Sequence, residues 1–132
     1  MYHRILVPLD GSPVAEAAIS VALGLRADPT AEILLVRMQG LGMELGYPVG
    51  FPVPTETLEA ERLRCDTYLL TVRARLTRAL DSIRRRVLLH HEDVAQELAS
   101  TARVERSELI VMTSHGWEGL GRTLRGSVAE EL

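Results

Sequence analysis

Residues 5–13 read Ile-Leu-Val-Pro-Leu-Asp-Gly-Ser-Pro (ILVPLDGSP), and the fold is decided by the change of character inside this stretch. Ile5-Leu6-Val7-Pro8-Leu9 is a short apolar run of buried-strand type, and Pro8, with no N–H to give to a ladder, suits the end of a strand better than its middle. Asp10-Gly11-Ser12-Pro13 is a turn. Ser12 is placed to cap a helix, and Pro13 takes the first helical position, where a missing N–H costs nothing. The helix carries Ala15, Ala18, Ile19, Ala22 and Leu23 on one face and is expected to finish before Asp28-Pro29. Small residues on that face suit close packing against a sheet.

Moving outward, Ala31 to Met38 contains Ile33-Leu34-Leu35-Val36, an apolar run that reads as a second strand buried on both faces, which calls for a parallel sheet. Residues 39–54 are rich in glycine and proline and read as a long loop of the lid-forming kind. The GLGMELG within it is not a dinucleotide fingerprint, because the third glycine is displaced and prolines follow where a helix should begin. From about Thr55 to Arg84 the spacing of Leu58, Cys65, Leu69, Val72, Leu76, Leu80 and Ile83 predicts one long helix. Its charges, Glu59, Glu61, Arg62, Arg73, Arg75 and Arg78, read as a solvated face. Arg84-Arg85-Arg86 then runs into a short strand, Val87-Leu88-Leu89, with no turn residue between. The expected connection there is compressed, or lacks residues of the native chain. His90 and His91 are expected in a loop, since neighbours on an extended chain point apart and do not share a metal. Asp93 caps a helix bearing Val94, Leu98 and Ala102, and Glu108 to Met112 is a further buried strand. The order β-α-β-α-β-α-β predicts an α/β fold: an open parallel sheet with helices on both faces, Rossmann-like, in a single domain over residues 1–132.

Composition narrows the function. An apolar share of 46% with 25% charged residues fits a soluble globular protein and not a disordered tail. A net charge of −3 supplies no general positive field for a nucleic-acid backbone, so no nucleic-acid partner is expected. MYHRILVPLD reaches Pro8 and Asp10 before any export or membrane-spanning run could form, so neither a membrane partner nor secretion is expected and the location is read as cytoplasmic. Cys65 is the single cysteine, excluding an intrachain disulfide, and its helical spacing marks it as a buried structural thiol. All fifteen basic residues are arginine. Without lysine there is no P-loop amine for the β- and γ-phosphates and no Schiff-base chemistry.

Ligands of open parallel sheets settle at the carboxyl ends of strands where the strand order reverses. Two such ends are equipped here, Asp10 after the first strand and Thr113-Ser114-His115-Gly116 after the last. Gly116 and Gly126 would let backbone N–H groups approach phosphate oxygens without a Cβ in the way. Gly126-Ser127 opens a terminal helix from Val128 to Leu132, whose N-terminus favours an anion, and Ser127 adds a hydroxyl. Arg122 and Arg125 bring positive charge beside them. The same glycines would equally serve as punctuation between a strand and its helix, and spacing alone does not choose.

VPLDGS at the end of the first strand, IVMTSHG, nine residues, then GSVAE together resemble the universal stress protein family, whose nucleotide-binding members carry the signature G-x2-G-x9-G-(S/T). The resemblance runs from residue 4 to residue 132. It implies a five-stranded sheet of order 3-2-1-4-5 in an adenine-nucleotide alpha-hydrolase-like fold, ATP as ligand, and a homodimer formed through the last strand. Transferred by position, Asp10 would contact the ribose or a Mg2+ ion, and Pro8, Met112 and the backbone of Arg37 would line the adenine pocket. Gly116, Gly126, Ser127 and Val128 would hold the phosphates, with His115 nearby. Thr113 stands where the signature has its first glycine, and its side chain would crowd the ribose-phosphate approach or replace a contact with its hydroxyl. The sequence ends at Leu132, before the family's fifth strand, so an order 3-2-1-4 with an exposed edge is expected.

These features predict an ATP-binding, nucleotide-responsive stress module with at most slow ATP hydrolysis or autophosphorylation, since no nucleophile with an activating partner stands out. The alternative is a nucleotide-free interaction scaffold of the same fold. An adenylyl-transferring enzyme is disfavoured by the absence of lysine.

Overall fold

The computed structural model describes residues 2–39, 46–48, 50–76, 82–89 and 93–113. Within them strands and helices alternate as β1 (Arg4–Leu9), α1 (Pro13–Leu25), β2 (Glu32–Gln39), α2 (Thr55–Ala74), β3 (Ile83–Leu89), α3 (Val94–Val104) and β4 (Leu109–Ile110). The strands form one sheet, parallel as the alternation of elements predicts and in the order β3-β2-β1-β4 that the family resemblance implies for the first four strands.

The alternation of side chains along a strand sorts the core into two layers. Ile5, Val7 and Leu9 of β1 and Ile33 and Leu35 of β2 pack with Ala15, Ala18, Ile19 and Ala22 of α1 and with Leu69 and Val72 of α2. Leu6, Leu34 and Val36 face the other way and meet Leu98 and Ala102 of α3. Helices therefore cover both faces, which is why β1 and β2 read as continuous apolar runs. Each fully buried leucine or isoleucine contributes about 1.5–3 kcal/mol relative to exposure. The alanines of α1 keep that helix close to the sheet.

The helix starts are built as their sequences suggest. The Ser12 hydroxyl accepts from the Ala15 N–H at 3.1 Å with Pro13 behind it, and Asp93 accepts from the Gln96 N–H at 3.2 Å at the head of α3. Pro8 lies inside the central strand, yet costs no ladder bond. The carbonyls of Arg4 and Leu6 accept from Glu108 and Val111, so the even-numbered residues of β1 face β4. Pro8 falls on that side, beyond the last pair, Leu6 with Ile110. Its missing N–H points where β4 has already ended.

Three boundaries differ from the sequence reading. Gln39 belongs to β2 and not to the following loop. The long helix ends at Ala74, ten residues before Arg84. Arg84, Arg85 and Arg86 are strand residues of β3, paired with Leu34, Leu35 and Val36 of β2. The junction that looks too abrupt is thus not a junction: the chain turns earlier, and the arginines lie on an edge strand where neither face needs to be apolar. Ile83 opens this strand instead of closing the helix. Of the glycine- and proline-rich loop, residues 40–45 and 49 lie outside the described residues, as do Leu80, His90 and His91.

Candidate functional site

The carboxyl ends of β1, β2 and β4 come together at one edge of the sheet, because the three strands are parallel neighbours. Leu9 pairs with Arg37, and Leu6 with Ile110. Asp10 therefore follows β1 at the same level as Arg37 and Met38 on one side and Met112 and Thr113 on the other. Of the residues expected to bind a ligand, Pro8, Asp10, Arg37, Met112 and Thr113 occupy this edge. His115, Gly116, Gly126, Ser127 and Val128 lie outside the described residues, as does the predicted terminal helix.

Asp10 shapes the turn at the mouth of the site. Its Oδ1 accepts from the Ser12 N–H at 2.8 Å and from the Ser12 hydroxyl at 2.5 Å. Between them Gly11 adopts φ +90°, a left-handed conformation that disfavours any side chain. A Cβ at Gly11 would overlap Nη1 of Arg37, so the glycine also makes room for that guanidinium.

Arg37 also brings its side chain to this edge, which sequence reasoning missed. It lies on the odd-numbered face of β2, toward α2, where its guanidinium carbon sits 4.9 Å from the centroid of the Tyr68 ring. The Tyr68 hydroxyl donates to Glu16 Oε2 at 2.7 Å, and Arg75 donates to Glu16 Oε1 at 2.8 Å. Burial first, and then the bond to Glu16, push the Tyr68 phenol well above its ordinary range. Tyr68 is thus a rigid wall and not an acid or base near neutral pH. The only signal for it in the sequence is its place three residues after Cys65 on α2.

Two turns earlier on α2, Glu61 departs from the solvated-face reading, for it is buried, 9% exposed. Arg64 grips it through Nε at 2.9 Å and Nη2 at 2.6 Å. That charge-assisted fork holds the Glu61 carboxyl below its usual range against the opposing effect of burial. Cys65 beside it is buried, with Sγ 3.7 Å from Glu61 Oε1 and 4.0 Å from the Met38 carbonyl. Desolvation raises its thiol pKa, with the positive Arg37 opposing, as suits a structural thiol.

Two polar atoms at this edge are buried and have no hydrogen-bond partner among the described residues. One is the Thr113 hydroxyl, three residues past the end of β4. The other is Oε1 of Gln39, whose Nε2 donates to the Leu58 carbonyl at 2.7 Å. An unsatisfied buried group of this kind costs about 1–3 kcal/mol, which a ligand or water at the site would offset. Met112 and Met38 each pack against the α3-side core, a soft apolar surface on the sheet face opposite to the one from which Gln39 reaches α2. No cluster of three or more metal-ligating side chains occurs among the described residues.

The universal stress protein family model matches residues 1–132, the whole chain. The chain belongs to the universal stress protein family. Universal stress protein MJ0531 of Methanocaldococcus jannaschii is 27% identical over 143 aligned residues, covering 100% of this chain and 76% of that protein. The crystal structure of a universal stress protein family member from Burkholderia pseudomallei is 32% identical, with a TM-score of 0.66 over 99% of this chain and 87% of the other. A universal stress protein solved in complex with cAMP superposes with a TM-score of 0.54 at 14% identity, over 84% of this chain and 75% of its own, and so speaks for the fold alone. The universal stress protein sheet is the frame that puts Asp10, Arg37 and Thr113 at one edge.

Proposed function

We propose that this universal stress protein binds an adenine nucleotide, ATP in the first instance, at the carboxyl edge formed by β1, β2 and β4, and acts as a nucleotide-responsive regulatory module. The observation that carries the reading is the Thr113 hydroxyl, buried without a hydrogen-bond partner among the described residues, on the same sheet edge as the Asp10 turn. The related structure that holds cAMP lends support from within the family. In this reading Pro8, Met112 and the Arg37 backbone line the base pocket and Thr113 donates to the ribose or a phosphate. Gly116, Gly126, Ser127 and Val128 supply phosphate contacts, with His115 close by.

The residues present fit such a ligand. An adenine ring needs an apolar surface with a few polar groups at its rim, and Met112 and Met38 with Gln39 and Thr113 are of that kind. Mg2+ is commonly held by one carboxylate together with the nucleotide's own phosphates, which Asp10 is placed to do. The bound ion would neutralise phosphate charge; the chain's own part is to orient the nucleotide and enclose its base. Any turnover is slow hydrolysis or autophosphorylation. The same reading has the protein in the cytoplasm as a homodimer.

A nucleotide-free scaffold is the second reading, favoured by the way the Arg37 guanidinium closes on Gly11. Isothermal titration of folded protein with ATP, with and without Mg2+, separates the two. Saturable binding supports the nucleotide site, and no heat at millimolar ATP overturns it in favour of the scaffold.

A further inference from the structure

The strongest feature outside the nucleotide edge is the flank of β3. This strand bonds to β2 and to no other strand among the described residues, so alternate N–H and C=O groups along it face outward. A groove of about 640 Å3 runs between it and α2, lined by Arg62, Asp66 and Arg73 of the helix and by residues 83–87 of the strand. The chain as a whole carries −3, yet this flank gathers five arginines around Asp66 and Glu105.

The strand arginines are held in place. Arg85 donates to Asp66 Oδ1 at 2.7 Å, while Arg84 and Arg86 reach the two oxygens of Glu105 at 3.1 and 2.8 Å on the opposite face. Charged residues on an edge ordinarily serve to prevent pairing, and they serve so here against a second copy of the same edge, which would set arginine against arginine. Against an acidic strand the same charges attract. Their anchoring lowers the cost of ordering them on binding, and the groove leaves room for alternate side chains.

We propose that β3 is a docking edge for an extended acidic segment of a partner protein, which adds to the sheet as a further strand and lays acidic side chains along the Arg62–Arg85 groove. The peptide backbone distinguishes this occupant from nucleic acid or a free polyphosphate, which would use the charges but not the strand.

The test is an acetylated, amidated decapeptide of alternating valine and glutamate, labelled at one end and titrated with the full chain by fluorescence anisotropy. Saturable binding that weakens steeply with salt is expected, with slowed hydrogen exchange at the β3 amides. A peptide of equal charge with a central proline should bind at least about tenfold more weakly, because it cannot complete the ladder. Arg62→Glu, on an exposed helix position of the groove, should weaken binding about threefold or more with the thermal melt kept, while Arg86→Gln, on the opposite face of the strand, should weaken it less. The proposal is overturned by no binding at millimolar peptide, by equal binding of the proline peptide, or by protection away from β3. Binding of single-stranded DNA or tripolyphosphate that matches the peptide overturns it too, since the flank would then read charge alone.

Discussion

Arg37 and Tyr68 face each other across the space between β2 and α2, guanidinium over ring at 4.9 Å. The ring is fixed from behind by Glu16, which Arg75 also grips. α1 and α2 are thereby tied together at the mouth of the site, and Arg37 is positioned by a π face on one side and by Gly11 on the other. The cation–π contact itself is worth about 0.5–1 kcal/mol at a partly open position.

Gly11→Ala should destabilise the protein by about 1–3 kcal/mol, from the left-handed backbone and from the overlap with Arg37. In an Arg37→Ala background the overlap disappears and the backbone strain stays, so the penalty should shrink. Urea melts of the four proteins give the coupling directly. An equal penalty in both backgrounds would show that the guanidinium does not rest on Gly11.

Alkaline pH should weaken the fold through Tyr68. A phenol whose folded pKa is raised above its unfolded value of about 10 stabilises in full below that value, and the stability is lost as pH climbs toward the folded one. The buried Cys65 thiol acts in the same direction from its ordinary value of 9.0. Because the chain has no lysine, no side-chain ammonium is discharged over this range. Tyr68→Phe removes the bond to Glu16 at a cost of about 1–3 kcal/mol near neutral pH. It should also flatten the decline in stability between about pH 9 and pH 11; melts across that range that fall with the same slope as the parent would contradict the assignment.

Thr113→Val separates folding from binding. With no partner among the described residues for the hydroxyl to lose, stability should stay within about 0.5 kcal/mol of the parent or rise. ATP affinity, if the hydroxyl donates to the nucleotide, should drop about tenfold, the equivalent of one ordinary hydrogen bond. Thermal melts and calorimetric titration of the same variant check both halves, and unchanged affinity would remove Thr113 from the site.

The two central strands were legible because both of their faces are buried, so nearly every residue from Ile5 to Leu9 and from Ile33 to Val36 had to be apolar. Ser12 and Asp93 announced their helices because a cap is a local hydrogen bond. The start of β3 was not legible, since an edge strand draws its length from pairing with β2 and can carry arginines on both sides, anchored by Asp66 and Glu105 far away in sequence. Glu61 was misplaced for a related reason: its burial is compensated by Arg64 and lies beside Arg37, and the first of these looks like any exposed helix pair. At the candidate site, Pro8, Asp10, Arg37, Met112 and Thr113, the motif residues that are described, stand near strand ends, but Tyr68, Glu16 and Gln39 join them only through packing between elements, which no spacing in one segment reveals.

β4 meets β1 at two residue pairs, whereas β1 and β2 are matched from Arg4 with Glu32 to Leu9 with Arg37. Among the described residues the β1–β2 side of this edge is therefore the more extensively paired one, and its amides should be the slower to exchange. A ligand seated at this edge would meet its firmest backing from β1 and β2.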